Sequence, residues 1–170
     1  HDLYVFTING FPYGAFHGTE VKQRVYAPDW RAAERLTYTT MLADILAALL
    51  PEGVSGSIST VPGSYREWIQ DRPDTDAIVE NLARCAAHLA ELEATTGRCI
   101  ALALEPEPDC LFDTTEQTLD FFNRTLAEHP AMQTLAVDWR RYIGVCFDTC
   151  HLSVVFDDPA ASLQALLRGG

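Results

Sequence analysis

The chain has 170 residues, of which 48% are hydrophobic and 21% charged, so it can bury a core of ordinary single-domain size and is predicted to be globular. Its formal net charge of -12 would repel a phosphate backbone, and we therefore expect no nucleic-acid partner. No apolar run approaches the roughly 18 residues that span a bilayer, so no membrane segment is predicted.

The five cysteines lie at positions 85, 99, 110, 146 and 150 and show no paired CxxC spacing. This pattern indicates neither a disulfide framework nor a zinc ribbon. Reduced thiols in the cytoplasm are the simplest interpretation, and we expect a cytoplasmic protein.

The first half of the chain predicts two strands that are each followed by a helix. Residues 3–8 are rich in β-formers and end in a turn-prone stretch. Apolar residues then recur every three or four positions over residues 30–50, which predicts a helix that buries one stripe. A small-residue strand is predicted at 54–61, with Ser57 and Ser59 on one face. The next helix covers about 76–95, with Gly97 near its C-cap.

The second half predicts the same alternation. The third strand covers residues 99–105, and the helix after it starts at Asp113 or Thr114, because Glu116 and Gln117 stand three residues after these possible caps. The apolar pattern over residues 131–142 does not predict one type of secondary structure over another. An apolar strand follows at 143–148, and Asp158 before Pro159 predicts the start of a final helix.

Alternating strands and helices predict an α/β fold with a parallel sheet, either an open doubly wound sheet or a closed eight-stranded barrel. Ala101, Ala103 and Glu105 share one face of the third strand, and Cys146 and Asp148 share one face of the last strand. Such small and acidic side chains favour the barrel, because its narrow interior needs small residues and its mouth carries the functional groups. We therefore predict a partial (β/α)8 TIM barrel of about four consecutive βα units. Residues 1–170 would form a single incomplete domain, with further strands expected on both sides.

Glu105 and Asp148 are predicted to end two parallel strands on their inward faces. Such carboxylates need neutralisation, either by a divalent cation or by ion pairs with Arg or Lys. His151 favours the cation, since it stands three residues after Asp148 where the chain turns. Glu107 is a weaker candidate, because Pro106 and Pro108 leave its direction open. His88 and His129 lie in helical segments and are interpreted as packing or surface residues.

The loop after the first strand carries candidate ligand-binding residues. Asn9, Tyr13 and His17 occupy a position from which barrel proteins contact ligands, and we predict substrate contacts for Asn9 and His17. The alternatives are turn formation by Asn9 and aromatic packing of Tyr13 within the loop.

Two motifs resemble those of known metal-dependent barrels. Residues 143–151, IGVCFDTCH, resemble the motif of the endonuclease IV family. The strand-end Glu105 resembles that of endonuclease IV, the xylose isomerases and the tagatose and hydroxypyruvate epimerase or isomerase families. This resemblance implies a divalent metal ion (Zn, Mn or Mg) on Glu105 and Asp148. His151 would be a zinc ligand on the nuclease pattern or a substrate contact on the sugar-isomerase pattern. Val61 and Tyr65 replace both histidines of the nuclease HPGSH loop, so a three-zinc cluster is not expected.

A broader resemblance covers most of the chain. The segments TINGFPYGAFHG (7–18), LAALLPEG (46–53) and GSISTVPGS (56–64) resemble the metabolite traffic protein EboE family. That resemblance implies a xylose isomerase-like barrel associated with the movement of small metabolites or their precursors.

Three functions follow as hypotheses. The first is a metal-dependent isomerase or epimerase-like enzyme that acts on a small metabolite, with Glu105 and His151 as catalytic candidates. The second is a non-catalytic protein that binds and hands on a metabolite. The third, a phosphodiesterase acting on abasic DNA, shares the DTCH motif, but the net charge and Val61 count against it.

Overall fold

Four short strands form one parallel sheet. A computed structural model describes residues 3–14 and 22–169. The strands are β1 (Thr7–Asn9), β2 (Gly56–Thr60), β3 (Ile100–Leu104) and β4 (Ile143–Val145), and they lie side by side in the order of the chain. Every neighbouring pair is parallel. The predicted α/β class with a parallel sheet is therefore confirmed.

Helices connect the strands, as parallel neighbours require. They are α1 (Ala33–Leu49), α2 (Arg72–Thr96), α3 (Thr115–Asp120), which continues as a π-helix (Phe121–Leu126), α4 (Pro130–Gln133), α5 (Thr149–Val154) and α6 (Pro159–Gly169). Short 3-10 turns lie at Lys22–Tyr26, Arg66–Trp68 and Trp139–Arg141. In the described part of the chain, no helix combines the length and the apolarity that a bilayer crossing requires.

The core lies between one face of the sheet and helices α1 and α2. Burial alternates along β2 and β3, as expected for strands whose successive side chains point to opposite faces. Ile58 and Leu102 are buried and belong to the same hydrophobic cluster as Leu46 of α1 and Leu82 of α2. The other face carries the small side chains, and these stay partly exposed.

Helix boundaries follow the predicted capping signals. Gly97 ends α2 with a left-handed backbone (φ 71°), which glycine adopts without strain. Thr114, rather than Asp113, caps α3 by accepting a hydrogen bond from the Gln117 amide. Asp158 accepts from the Ala161 amide at the start of α6. The second predicted helix begins earlier than expected, at Arg72, because Asp71 provides its N-cap.

The first and last strands are shorter than predicted. Pairing of β1 with β2 begins at Thr7, opposite Ser57, so residues 3–5 have no partner strand against which to extend. The predicted strand at 143–148 ends at Val145, because Asp148 starts a new helix, α5, that the apolar pattern did not reveal.

Trp30 anchors the loops at the carboxyl edge of the sheet. Its side chain is 0% exposed, and its indole N–H donates to Thr60 Oγ1 at 3.2 Å. Its backbone N–H donates to the Gly63 carbonyl, and its carbonyl accepts from the side chain of Asn81. One residue thus ties the loop after β1 to the loop after β2 and to α2.

A buried arginine holds the two ends of the loop after β1. The Arg35 guanidinium donates to the carbonyl oxygens of Gly10 and Phe11 at 2.8 and 3.0 Å, and to that of Pro28 at 2.7 Å. These bonds fix the backbone directly after Asn9, at the carboxyl end of β1, which is the edge of the sheet that carries the candidate site.

Candidate metal site

Three side chains with metal-binding atoms meet at the carboxyl edge of the sheet. Glu105, Asp148 and His151 each offer one donor atom, and these atoms all lie within 4.8 Å of one another. His151 Nε2 is 3.7 Å from Asp148 Oδ2, and its Nδ1 is 4.0 Å from Glu105 Oε1. The structure thus brings together the three residues that the sequence singled out.

Glu105 is held by the end of β3. Its backbone N–H donates to the carbonyl of Thr60 at 3.0 Å, so the pairing with β2 continues one residue past the strand. Strand alternation then places its side chain on the same face as Ala101 and Ala103, which is the face without the apolar core.

Asp148 and His151 are held by the first turn of α5. Asp148 is the N-cap, and its Oδ1 accepts a hydrogen bond from the Cys150 amide at 2.7 Å. That bond leaves Oδ2 directed towards His151, which follows three residues later on the same side of the helix. The capping geometry therefore explains the spacing of the DTCH motif.

One ring nitrogen of His151 forms a hydrogen bond with the backbone. Its Nδ1 lies 3.0 Å from the carbonyl oxygen of Pro106. A carbonyl can only accept, so Nδ1 carries a proton, and in the neutral ring Nε2 keeps its lone pair. Histidine ligands of metals commonly donate their other N–H to a carbonyl or carboxylate in this way.

In the described part of the chain, the two carboxylates have one neighbour that can carry a positive charge, His151. Among residues 3–14 and 23–169, no Arg forms an ion pair with Glu105 or Asp148. This finding speaks against the ion-pair alternative. Burial is the main cause that raises the pKa of Glu105 above its ordinary value; His151 lowers that pKa, and the charge of Asp148 raises it.

The spacing of one donor pair, His151 and Asp148, suits a small cation. Two donors that each lie about 2.1 Å from one metal ion can be at most about 4.2 Å apart. The 3.7 Å between His151 Nε2 and Asp148 Oδ2 falls within that limit. Two carboxylates and one imidazole form a donor set that Zn, Mn and related divalent ions accept.

Glu107 is a third acidic group near the cluster. Its carboxyl is half-buried, and that burial is the main cause that raises its pKa; the charge of Glu105 adds to this effect, whereas His151 opposes it. These interactions show that Glu107 faces the same region, although its atoms do not belong to the three-residue donor group.

Asn9 lies at the end of β1, in register with Ser59 of β2. Its side-chain Oδ1 accepts from the Phe11 amide at 3.0 Å, which confirms that it shapes the turn, and lies 3.4 Å from Ser59 Oγ. The side chain is exposed, so it can also meet a ligand. Tyr13 packs edge-on against Tyr38 at a ring distance of 5.0 Å, as a loop-packing residue would. His17 lies outside the described residues.

The positions that replace the nuclease histidines belong to the core. Val61 is 0% and Tyr65 7% exposed, and Tyr65 stacks on Tyr26. In the described part of the chain, Glu105, Asp148 and His151 form the one group of three or more potential metal-binding residues. The other two histidines noted from the sequence form ion pairs, His88 with Asp44 and His129 with Asp76.

Ser59 was not predicted as a site residue. Its hydroxyl donates a hydrogen bond to Asn9 Oδ1 at 3.4 Å, and its polar neighbourhood lowers the pKa of Glu105, against the larger effect of burial. The sequence did place Ser59 on the inner face of β2, but a two-residue period alone does not separate it from Ser57. Its position relative to β3 is what brings it to the site.

Comparison with protein-family models, with characterised proteins and with solved structures found no significant match to this chain.

Proposed function

We propose that the chain binds one divalent cation through Glu105, Asp148 and His151 Nε2, and that this site serves a metal-dependent isomerase or epimerase-like enzyme. The observation that carries the proposal is the convergence of these three groups without an ion pair to any Arg of residues 23–169. Two half-buried carboxylates that lie this near to each other repel, so the arrangement is unfavourable unless a cation compensates their charge.

The same proposal includes closure of the sheet into a (β/α)8 barrel. Four consecutive parallel units, small side chains on one sheet face and functional groups at the carboxyl edge all support it. The segments that resemble the EboE family and the xylose isomerase-like barrels support it independently. Further strands would enclose the exposed inner face and the cluster.

The chemistry assigned to the site follows from its residues. A divalent cation bound there would polarise the oxygens of a hydroxy-carbonyl substrate. Glu105, whose pKa burial raises, is the better placed carboxylate to accept a proton from the carbon beside that carbonyl. Asp148 stays a fixed donor because its other oxygen caps α5.

Asn9 is the proposed substrate contact on β1. Its Oδ1 is occupied by the Phe11 amide, so the Nδ2 group is the one free to donate to a substrate oxygen. A small molecule with adjacent oxygen atoms fits a site that offers a cation on one side and a neutral amide donor on the other.

The test is the metal content of the purified full-length protein. Elemental mass spectrometry should find one divalent ion per chain in the wild type and none in a Glu105→Gln, Asp148→Asn double variant. A Glu116→Gln, Glu128→Gln variant is the matched control, since it removes two exposed carboxylates outside the cluster. Equal metal content in the wild type and the site variant would overturn the proposal.

A His151→Ala variant then separates the two roles that the motifs imply for His151. Loss of the ion would support His151 as a ligand, whereas full retention would make it a substrate contact. If the wild type holds the ion but converts no hydroxy-carbonyl compound in a substrate screen, the metabolite hand-off function would replace the enzymatic one.

A further inference from the structure

We propose that Asn9 is a specificity-determining residue, whose Nδ2 group donates a hydrogen bond to a substrate oxygen beyond the pair that binds the cation. The substrate class is then a hydroxy-carbonyl compound of at least about four carbons. This inference rests on the proposed metal site and deepens it, because it assigns a minimum length to the substrate.

Two donors fix the orientation of the Asn9 amide. The Phe11 N–H donates to Asn9 Oδ1 at 3.0 Å, and the Ser59 hydroxyl donates to the same oxygen at 3.4 Å. A backbone N–H can only donate, so the amide cannot turn over without losing the bond to Phe11. The Nδ2 group therefore points away from the turn, and it donates no hydrogen bond to any of the described residues.

The contact with Ser59 also shows which face of the sheet carries the Asn9 amide. Ser59 alternates with the buried Ile58 and Thr60, so its side chain lies on the face without the apolar core. The side chain of Glu105 lies on the same face, after the end of β3. The amide donor and the metal-binding carboxylate thus share one surface, and both side chains remain accessible there.

The sheet register gives the distance between these two groups. Asn9 pairs with Ser59, and Ser59 pairs with Ala103, two residues before Glu105. The backbones of β1 and β3 are therefore two strand spacings apart, which is about 10 Å. A metal–oxygen bond and a hydrogen bond together take up about 5 Å of that distance, so about 5 Å remains between the two substrate oxygens.

This gap selects for substrate length. A three-carbon compound that places two adjacent oxygens on the ion has one oxygen left, on the next carbon, and that oxygen stays too close to the ion to reach Asn9. In a compound of four or more carbons, an oxygen farther along the chain can accept from Nδ2. A site with a fixed donor discriminates against compounds that lack the matching acceptor, because the donor is then left unpaired.

The Asn9→Asp substitution changes the atom that faces the substrate and keeps the turn. One aspartate oxygen still accepts from the Phe11 amide, whereas the other replaces the N–H donor by an acceptor that repels a substrate oxygen. Asn9→Ala removes the donor without adding a charge. Asn123→Asp is the matched control, since it makes the same chemical change at an exposed position of the π-helix.

The experiment loads the full-length protein with Mn²⁺ and titrates it with xylitol as the long probe and glycerol as the short one. Neither polyol has a carbonyl group, so neither can be isomerised, and paramagnetic broadening of their proton NMR signals measures weak binding beside the ion. We expect Asn9→Asp to lower the affinity for xylitol by about 10-fold and Asn9→Ala to lower it too. The affinity for glycerol should not change in either variant, and Asn123→Asp should match wild type for both probes.

The failure of this inference is distinguishable from failure of the metal site. If wild type binds Mn²⁺ and both Asn9 variants bind xylitol as tightly as wild type does, the role of Asn9 is wrong while the metal site stands. Absence of xylitol binding to the Mn²⁺-loaded wild type would also refute the contact. If wild type takes up no divalent ion, the metal site itself is wrong, and the assigned substrate length fails with it.

Discussion

The imidazole of His151, on the first turn of α5, lies across the loop after β3 and hydrogen-bonds through Nδ1 to the carbonyl oxygen of Pro106 at 3.0 Å. Because that oxygen can only accept, the bond selects the Nδ1–H tautomer and leaves Nε2 free beside Asp148. The Pro106 carbonyl, which follows β3, thus sets the tautomer of His151, whose side chain follows β4.

The tautomer of His151 is directly measurable. We expect long-range proton–nitrogen NMR of the metal-free protein, at a pH where the imidazole is neutral, to show a protonated Nδ1 and an unprotonated Nε2. Added Zn²⁺ should then shift the Nε2 resonance and leave Nδ1 protonated. A protonated Nε2 in the neutral ring would contradict the Pro106 hydrogen bond.

Asp148 has two roles that two substitutions separate. Asp148→Asn keeps an oxygen for the Cys150 amide and removes one of two mutually repelling carboxylates, so the free energy of unfolding in chelator should not fall. Asp148→Ala also removes the helix cap and should lower the free energy of unfolding by about 1 kcal/mol.

Addition of metal gives the second half of the test for Asp148. An ion at 100 times its dissociation constant should stabilise wild type by about 2.7 kcal/mol and neither variant. Urea unfolding of wild type and of both variants, with and without Zn²⁺, measures these stabilities. Equal stabilisation of wild type and Asp148→Asn would show that the carboxylate is not a ligand.

Trp30 should carry much of the stability of the loops around the site. Trp30→Ala removes a side chain that is 0% exposed and is expected to cost about 3–5 kcal/mol, whereas Trp30→Phe should cost about 2 kcal/mol through the lost volume and the lost bond to Thr60. Trp68→Phe is the comparison, because Trp68 is only partly buried. Similar losses for Trp30→Phe and Trp68→Phe in urea unfolding would contradict the anchoring role.

Glu93 makes stability depend on pH at the other edge of the sheet. Its carboxylate accepts from the Arg141 guanidinium and from the Tyr142 hydroxyl at 2.8 Å, and these bonds lower the pKa of Glu93 to about 2. A carboxyl whose pKa falls on folding stabilises the protein above its unfolded pKa, near 4.3, and this contribution is lost as pH falls towards 2.

The Glu93→Gln variant tests that pH dependence. Its free energy of unfolding should change less than that of wild type between pH 6 and pH 2, and the contribution of the Glu93 carboxylate to wild type should shrink steadily over that range. Glu91→Gln, which alters a neighbouring carboxyl that forms no ion pair among the described residues, serves as the control. Parallel pH profiles for wild type and Glu93→Gln would exclude the assigned contribution.

Much of the fold was predictable because its causes are local. Helix periodicity placed α1, the caps at Thr114 and Asp158 marked two helix starts, and Gly97 marked a helix end. Alternation along β3 separated the core-facing leucines from Glu105. The grouping of Glu105, Asp148 and His151 was predictable too, since parallel strands end at one edge of a sheet.

Other features depend on contacts between segments far apart in the chain. Strand β1 is short because pairing with β2 starts only at Thr7, and no local pattern records where a partner begins. The helix at Asp148 was missed because a one-turn helix is too short to show a period.

By itself, the sequence determined the alternation of strands and helices, the caps at Gly97, Thr114 and Asp158, and the identity of the three metal-binding candidates, because each depends on residues a few positions apart. The tertiary structure alone decided which atoms face one another: the Pro106 carbonyl on His151 Nδ1, and the Glu105 amide on the Thr60 carbonyl. Those contacts join residues 45 or more positions apart, and sheet register, which no single segment encodes, is what aligns them.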